Sequence, residues 1–351
     1  MRRRRVLSLA GAAAALPLAG CLDALPGGPG AESEPSEGVY VQTFQESMAM
    51  QGEATAGDYR VALAFTVPHD FWTVTGREVE TVPKTDEDSL HLMAVVWDPR
   101  SGRVLPEGGV SVRVARDGVV VTEEVLYPML SQTMGFHYGA NVVLPGDGTY
   151  DARVRIGGLS IRRTGAFRDR FAASASAQLP LAFTDRTRER VATRPIEQGG
   201  DPGALAPMDT GLPQSVAPDP GGLPGALLGT GESGDAVFAA TALDAPPAGL
   251  AGDGGGRYLV LSPRSRYNRF LLPAMGLRGT LSRGDETVFE GDLVRTFDPD
   301  LGYHYGATVP EVRAADRLRV EVTTPPQTAR HEGYERAFLD LDPATVALET
   351  R

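Results

Sequence analysis

The sequence predicts an all-β chain built from two tandem β-sandwich domains, and three observations carry that prediction. The hexapeptide Gly135-Phe136-His137-Tyr138-Gly139-Ala140 returns as Gly302-Tyr303-His304-Tyr305-Gly306-Ala307, at an offset of 304 − 137 = 167 residues. The same offset lays Pro106 on Pro273, Gly109 on Gly276, Arg116 on Arg283, Glu123 on Glu290 and Leu126 on Leu293 without a gap, so a domain-length unit is duplicated. A length of 351 residues also suggests two domains at roughly 150 residues each. Finally, 42 Gly and 27 Pro punctuate short runs of alternating apolar and polar residues, which favours strands over helices.

In chain order, the first element is an address. Met1-Arg2-Arg3-Arg4-Arg5 precedes an apolar run from Val6 to Ala19 that ends in Leu18-Ala19-Gly20-Cys21. That run is too short and too rich in small residues to span a bilayer, and the segment resembles a twin-arginine-type secretory signal. Leu-Ala-Gly-Cys resembles a lipobox, which implies lipidation of Cys21 and anchoring to the outer face of the cell membrane. Cys21 is the one cysteine, so neither a disulfide nor a thiolate cage can form within one chain. Residues 22–38 are Pro, Gly, Ser and Glu with few large apolar groups and read as a disordered tether.

The first domain is expected over 39–186. Tyr59 to Thr66 alternates with period two, Ser89 to Trp97 is a second strong strand, and Val110 to Val114, Val119 to Val121 and Tyr150 to Ile156 are shorter ones between Asp-Gly and Gly-Asp-Gly turns. His91 and Met93 are two apart and share a strand face. Val67-Pro68-His69-Asp70 breaks the pattern, and His69 reads as a turn residue. Between strands, Met129 and Met134 precede His137, which lies between Gly135 and Gly139. Imidazole with thioether is a ligand set that suits copper, Cu(I) above all. Taken by spacing alone, the same methionines also fit core filling and the histidine a satisfied turn.

His91-Leu92-Met93-Ala94, Pro128-Met129 and Gly135 to Val142, in that order, resemble the periplasmic iron-transport protein family. The fuller run Pro68 to Gly76, with Pro128 to His137, is similar to haloarchaeal lipoproteins assigned to iron transport. The resemblance covers roughly residues 40 to 185 and implies an immunoglobulin-like, usually dimeric, copper-binding fold associated with ferrous iron uptake. It implies metal ligation by His91, Met129 and His137, with Met93 where the family carries an acid and a gap from Met129 to His137 one residue longer than the family's; Met93 with Met134 would shift the preference toward Cu(I). The family's last histidine, after a proline-rich turn, is replaced in the first copy by Arg162-Arg163-Thr164-Gly165.

Residues 187–232, rich in Gly-Pro clusters, read as a flexible linker. The second copy, 233–351, has Tyr258 for His91, Val260 for Met93 and Thr296 for Met129, so it has lost most of the site. It keeps His304, and it alone has Pro325-Pro326 followed by His331, aligned with Arg163 or Thr164. Either His304 or His331 completes the first-domain site in an intramolecular pseudo-dimer or homodimer, or the second copy is a degenerate structural or partner-binding domain. The second alternative is the expectation, because ligands are lost more easily than rearranged.

The net charge of −11, near −15 (−11 − 4) without Arg2 to Arg5, excludes nucleic acid as a partner. Lys84 is the one lysine, and an acidic, lysine-poor chain suits a halophile. No phosphate loop, His-Glu-x-x-His or nucleophile motif marks an enzyme. The functional expectation is a membrane-anchored extracytoplasmic protein binding copper, with ferrous iron as the second candidate, and acting as accessory or carrier for iron uptake beside an iron permease. The alternative is a surface lipoprotein of two domains without metal.

Overall fold

Period-two alternation becomes half-buried strand where one sheet face meets water, and continuous apolar sequence becomes strand covered on both faces. Gly148–Ile156 is the first kind, burying every second residue, whereas every residue of Leu90–Trp97 is buried. The computed structural model describes residues 38–250 and 255–347. The expected signal over 1–21 with Cys21, and the expected tether up to its final residue, lie outside the described residues.

The described chain is all β in two sandwiches. In the first, one sheet runs Ala49–Ala56, Tyr59–Thr66, Leu90–Trp97, Gly135–Val142 and the end of Val119–Ser131, all antiparallel. The beginning of Val119–Ser131 belongs to the facing sheet, with Val110–Arg116, Gly148–Ile156 and Ala175–Phe183. The second sandwich repeats this plan with Ala226–Ser233, Ala236–Leu243, Arg257–Ser265, Gly302–Val309 and Val294–Asp298 facing Glu286–Asp292, Gly276–Arg283, Arg317–Thr324 and Ala344–Ala347. The strand that passes between sheets is continuous in the first copy and broken at Leu293 in the second. Leu293 and its equivalent Leu126 are both buried.

The repeated hexapeptide owes its glycines and its last tyrosine to this fold. Gly135 and Gly302 sit at φ +69° and +70°, the left-handed region open to glycine. The Tyr138 hydroxyl donates to the Leu105 carbonyl at 2.9 Å and accepts from the Gly108 N–H at 2.9 Å. Tyr305 does the same with Leu272 at 3.0 Å and Met275 at 2.9 Å. Both copies thus pin the end of the sheet through one buried phenol.

The two sandwiches exchange segments. Ala329–Arg330, from the second copy, pairs in parallel with the first copy's strand at Met129 and Leu130, and is flanked by the Phe71–Thr75 strand at Trp72. Reciprocally, Arg162–Arg163 pairs in parallel with Thr296 and Phe297 of the second copy. The 167-residue offset converts one exchange into the other, so His331 corresponds to Thr164 without slippage. Phe71–Thr75 and Glu78–Val82 form a hairpin that is present in the first copy only; among the described residues its counterpart, between Leu243 and Arg257, holds no strand.

Residues 187–232, expected to be a free linker, are tied to both bodies. Thr193–Pro195 pairs with Phe44–Glu46, the Val41 N–H donates to Asp201, the Met208 N–H to Thr133, and Ser215 bridges the Phe136 N–H and the Leu271 N–H. The last part of this stretch already belongs to the second sandwich, whose first strand begins at Ala226. Its Pro and Gly content keeps ladders short and leaves backbone groups that need partners, and the neighbouring domains supply them.

Candidate metal centre

Four histidines converge where the exchanged segment meets the first sandwich. His91 lies on Leu90–Trp97, opposite Asn141, and His137 lies opposite Met129 in the adjoining pair of strands. His331 follows the exchanged Ala329–Arg330, its N–H donating to the Leu130 carbonyl at 3.1 Å. His69 sits just before the hairpin unique to the first copy. The rings of His69 and His91 lie 4.2 Å apart, and His331 is 4.8, 5.5 and 5.1 Å from His69, His91 and His137. Ligand atoms of His69, His91 and His331 all fall within 4.8 Å of one another.

The hydrogen bonds around the rings set their tautomers. His91 Nδ1 meets Asn141 Oδ1 at 2.8 Å, and the Asn141 amide donates to the His69 carbonyl at 3.0 Å, so one asparagine orients two members of the cluster. His137 Nδ1 meets the Gly135 carbonyl at 3.1 Å. His69 Nδ1 meets the Val67 carbonyl and Glu46 Oε2, each at 3.1 Å, which leaves its Nε2 to accept from His331 Nδ1 at 3.0 Å. Hydrogens therefore occupy Nδ1 on each ring. The Nε2 atoms of His91, His137 and His331 are buried with no hydrogen-bond partner. Three orphaned imidazole nitrogens in one cluster need an explanation, since burying even one such group is costly.

A thioether faces the same space. A Cβ on Gly139 would lie 2.7 Å from His91 Nε2 and 3.0 Å from Met129 Sδ, so the second glycine of the hexapeptide leaves room that an imidazole edge and a thioether share. Phe71, Met129 and Ala329 form a buried apolar wall there. Burial holds His137 down to about 4, and holds His91 and His331 well below the ordinary histidine range, with their neighbouring histidines adding repulsion. The rings are thereby kept neutral, the form that binds metal. These donors fit a borderline or soft cation.

Of the residues expected at the site, His91, Met129 and His137 come together, and His331 joins them from the second copy. Met93 and Met134 line the adjoining cavity. His304 does not join. Its Nδ1 meets the Gly302 carbonyl at 3.0 Å as His137 meets Gly135, but its Nε2 is paired with the Tyr258 hydroxyl at 3.0 Å. Arg162, brought by the reciprocal exchange, donates to Tyr258 Oη and the Gly306 carbonyl at 3.0 Å and to Thr296 Oγ1 at 2.9 Å. The equivalent position in the second sandwich is thus filled by Tyr258 and a guanidinium, and every polar atom of His304 is satisfied.

Two expectations need correcting. His69 is a member of the cluster rather than a plain turn residue, because the hairpin it precedes folds over the exchanged strand. The second copy is not merely degenerate, because its segment crosses to place His331 among the first copy's histidines. The signal available for His69 was that the stretch from Pro68 to Val82 is longer than the one that follows the matching strand of the second repeat.

A family model described as a domain of unknown function (DUF7350) matches residues 221–347, the second sandwich. No curated protein matches the chain. Among solved structures the chain is similar to FetP of uropathogenic E. coli strain F11, at 20% identity and TM-score 0.33 over 40% of this chain and 97% of that one. It is also similar to a copper-bound variant of Campylobacter jejuni P19, at 15% identity and TM-score 0.32 over 40% of this chain and 98% of that one. Copper-reconstituted P19 from the same organism gives 15% identity and TM-score 0.29 over 40% and 97%.

Proposed function

We propose that this chain is an extracytoplasmic, membrane-anchored copper-binding protein that serves an iron-uptake system as carrier or accessory, and that it catalyses no reaction of its own. The observation that carries the reading is the set of three unpartnered, buried Nε2 atoms on His91, His137 and His331 beside the Met129 thioether. His91, His137 and His331, with Met129, would hold the ion, and His69 stands behind them with Glu46 on its Nδ1. Bound copper would supply a redox-active, strongly Lewis-acidic cation. Asn141, Gly135 and Val67 fix the rings so that no proton competes at Nε2, and the Phe71 wall covers one side of the cluster with apolar surface. Ferrous iron fits less well, since the unpartnered atoms of the histidine cluster itself are imidazole nitrogens beside a thioether rather than carboxylate oxygens. The outward address is supported by the twin-arginine and lipobox pattern that ends at Cys21.

Metal analysis of protein purified without a metal-affinity tag, followed by Cu(II) titration of the metal-free chain, tests the proposal. One tightly held copper per chain is expected, lost in His91→Ala and His137→Ala. Absence of copper uptake by the parent protein, or uptake by both variants undiminished from the parent's, refutes it and leaves two interlocked β-domains as a partner-binding surface protein.

A further inference from the structure

The histidine cluster adjoins a half-open cavity, and His69, His137 and His331 are among its lining. Four methionines line it: Met48, Met93, Met134 and Met208. With Met129 at the cluster, five of the chain's eight methionines gather at the cavity and the histidines beside it, and they come from four separate stretches of sequence. Core filling, the usual role of methionine, accounts for Met93 and Met134, which are buried. It accounts only in part for Met48, which packs against the core from its edge, and not for Met208, which is partly buried outside the core clusters; both lie on the cavity's wall.

Met208 is held there deliberately. It lies in the segment joining the two repeats, its N–H donates to the Thr133 carbonyl at 2.8 Å, and its carbonyl accepts from Gln214 Nε2 at 2.7 Å. Two carboxylates share the cavity. Glu46 and Glu332 each use one oxygen in hydrogen bonds, to Thr66 at 3.4 Å and to Thr43 at 2.6 Å, and each keeps the other oxygen buried without a partner. Negative charge draws a cation inward, and thioethers retain a soft one.

We infer that this cavity is a loading vestibule for a soft monovalent cation of the Cu(I) class, in which Met48 and Met208 meet the ion before the imidazoles do. The inference rests on the copper reading of the histidine cluster and adds the route and oxidation state of its cargo. It gives the connecting segment a task beyond joining two domains, since Met208 belongs to neither repeat.

The test follows the methionine methyl groups by NMR in the full chain labelled at the methionine methyl carbon, with Ag(I) as a redox-inert probe. Signals would be assigned through Met48→Leu and Met208→Leu, which keep apolar volume. The Met48 and Met208 signals are expected to shift on adding Ag(I), and the double variant to take up Ag(I) about tenfold more weakly while loading Cu(II) as the parent does. Unmoved Met48 and Met208 signals while Met129 shifts overturn the vestibule and leave the cluster intact. Equal losses of Ag(I) and Cu(II) loading in the double variant also overturn it, because the methionines would then matter only for packing. Shifts at Met48 and Met208 with none at Met129 support the cavity as a soft-cation site and sink the histidine cluster as its destination.

Discussion

His137 and His304 occupy the same place in the two repeats and make the same Nδ1 contact, yet their removal is expected to have opposite consequences. In His137→Leu one bond to the Gly135 carbonyl is lost, worth about 0.5–1.5 kcal/mol net, and a buried nitrogen without a partner disappears, which returns about 1–3 kcal/mol. Metal-free stability should therefore hold or rise slightly. In His304→Leu the bonds to Gly302 and to the Tyr258 hydroxyl both go, and no orphan is relieved. That variant should lose about 1–3 kcal/mol, at roughly 2–4 °C in Tm per kcal/mol for a body of a few hundred residues. Copper at a free concentration about one hundred times Kd adds ~2.7 kcal/mol to the folded state, so the parent should melt several degrees higher when loaded. Differential scanning calorimetry with and without Cu(II) separates the cases. His304→Leu should start lower and keep the full copper-induced rise, while His137→Leu should start level and lose it. A full rise in His137→Leu, or none in His304→Leu, would show that the unpartnered Nε2 atoms do not mark the ligands.

Three further outcomes follow from the same geometry. His331→Leu should abolish the copper-induced rise although the residue belongs to the other sandwich, and calorimetry showing an unchanged rise would confine the site to the first copy. Gly139→Ala pushes a methyl into His91 Nε2 and Met129 Sδ, so copper affinity should fall by about tenfold or more at a stability cost of roughly 1–3 kcal/mol; isothermal titration and urea unfolding read the two effects apart. Burial lowers His137 and His304 from 6.5 to about 4, so the folded state keeps them neutral while the unfolded chain takes up protons. The stability they contribute is complete above pH 6.5 and is lost as pH falls toward about 4, and urea unfolding of the metal-free chain should decline across that window, less steeply in His304→Leu.

The duplication and the all-β class were legible because they are written locally: a hexapeptide returns whole, and strand alternation needs only neighbours. His91, Met129 and His137 could be picked out because a strand's period and an ordered motif place them. His331 and His69 could not be placed with equal force. Each depends on a pairing between distant stretches, Ala329 with Met129 and Trp72 with Arg330, and no local pattern encodes which sheet a two-residue strand will join. The connector misled for a different reason. Its Pro and Gly content argues for freedom, but Thr193–Pro195 joins a short ladder and Ser215, Met208 and Asp201 are fixed by isolated hydrogen bonds that composition does not reveal.

Reciprocal exchange between two equal units creates two equivalent sites, and two separate identical subunits would have to keep them the same. Fusion into one chain removes that constraint, and the two positions here have moved apart in a chemically consistent way. Where the first has His91, Met129 and the incoming His331, the second has Tyr258, Thr296 and the incoming Arg162, with Thr164 at the place of His331. Each change on the second side supplies a donor or acceptor to its neighbour: Arg162 to Tyr258, Tyr258 to His304, Thr164 to Asp298 at 2.7 Å. A site that had only decayed would retain unsatisfied buried atoms, as a half-removed network does. This one has none on His304, and a guanidinium supplies the positive charge there. The second sandwich has thus become a fixed frame whose work for the first is to hold the turn at Pro325-Pro326 that delivers His331, which is why the fully buried Arg330 spends its donors on the Pro326 and Thr328 carbonyls beside it.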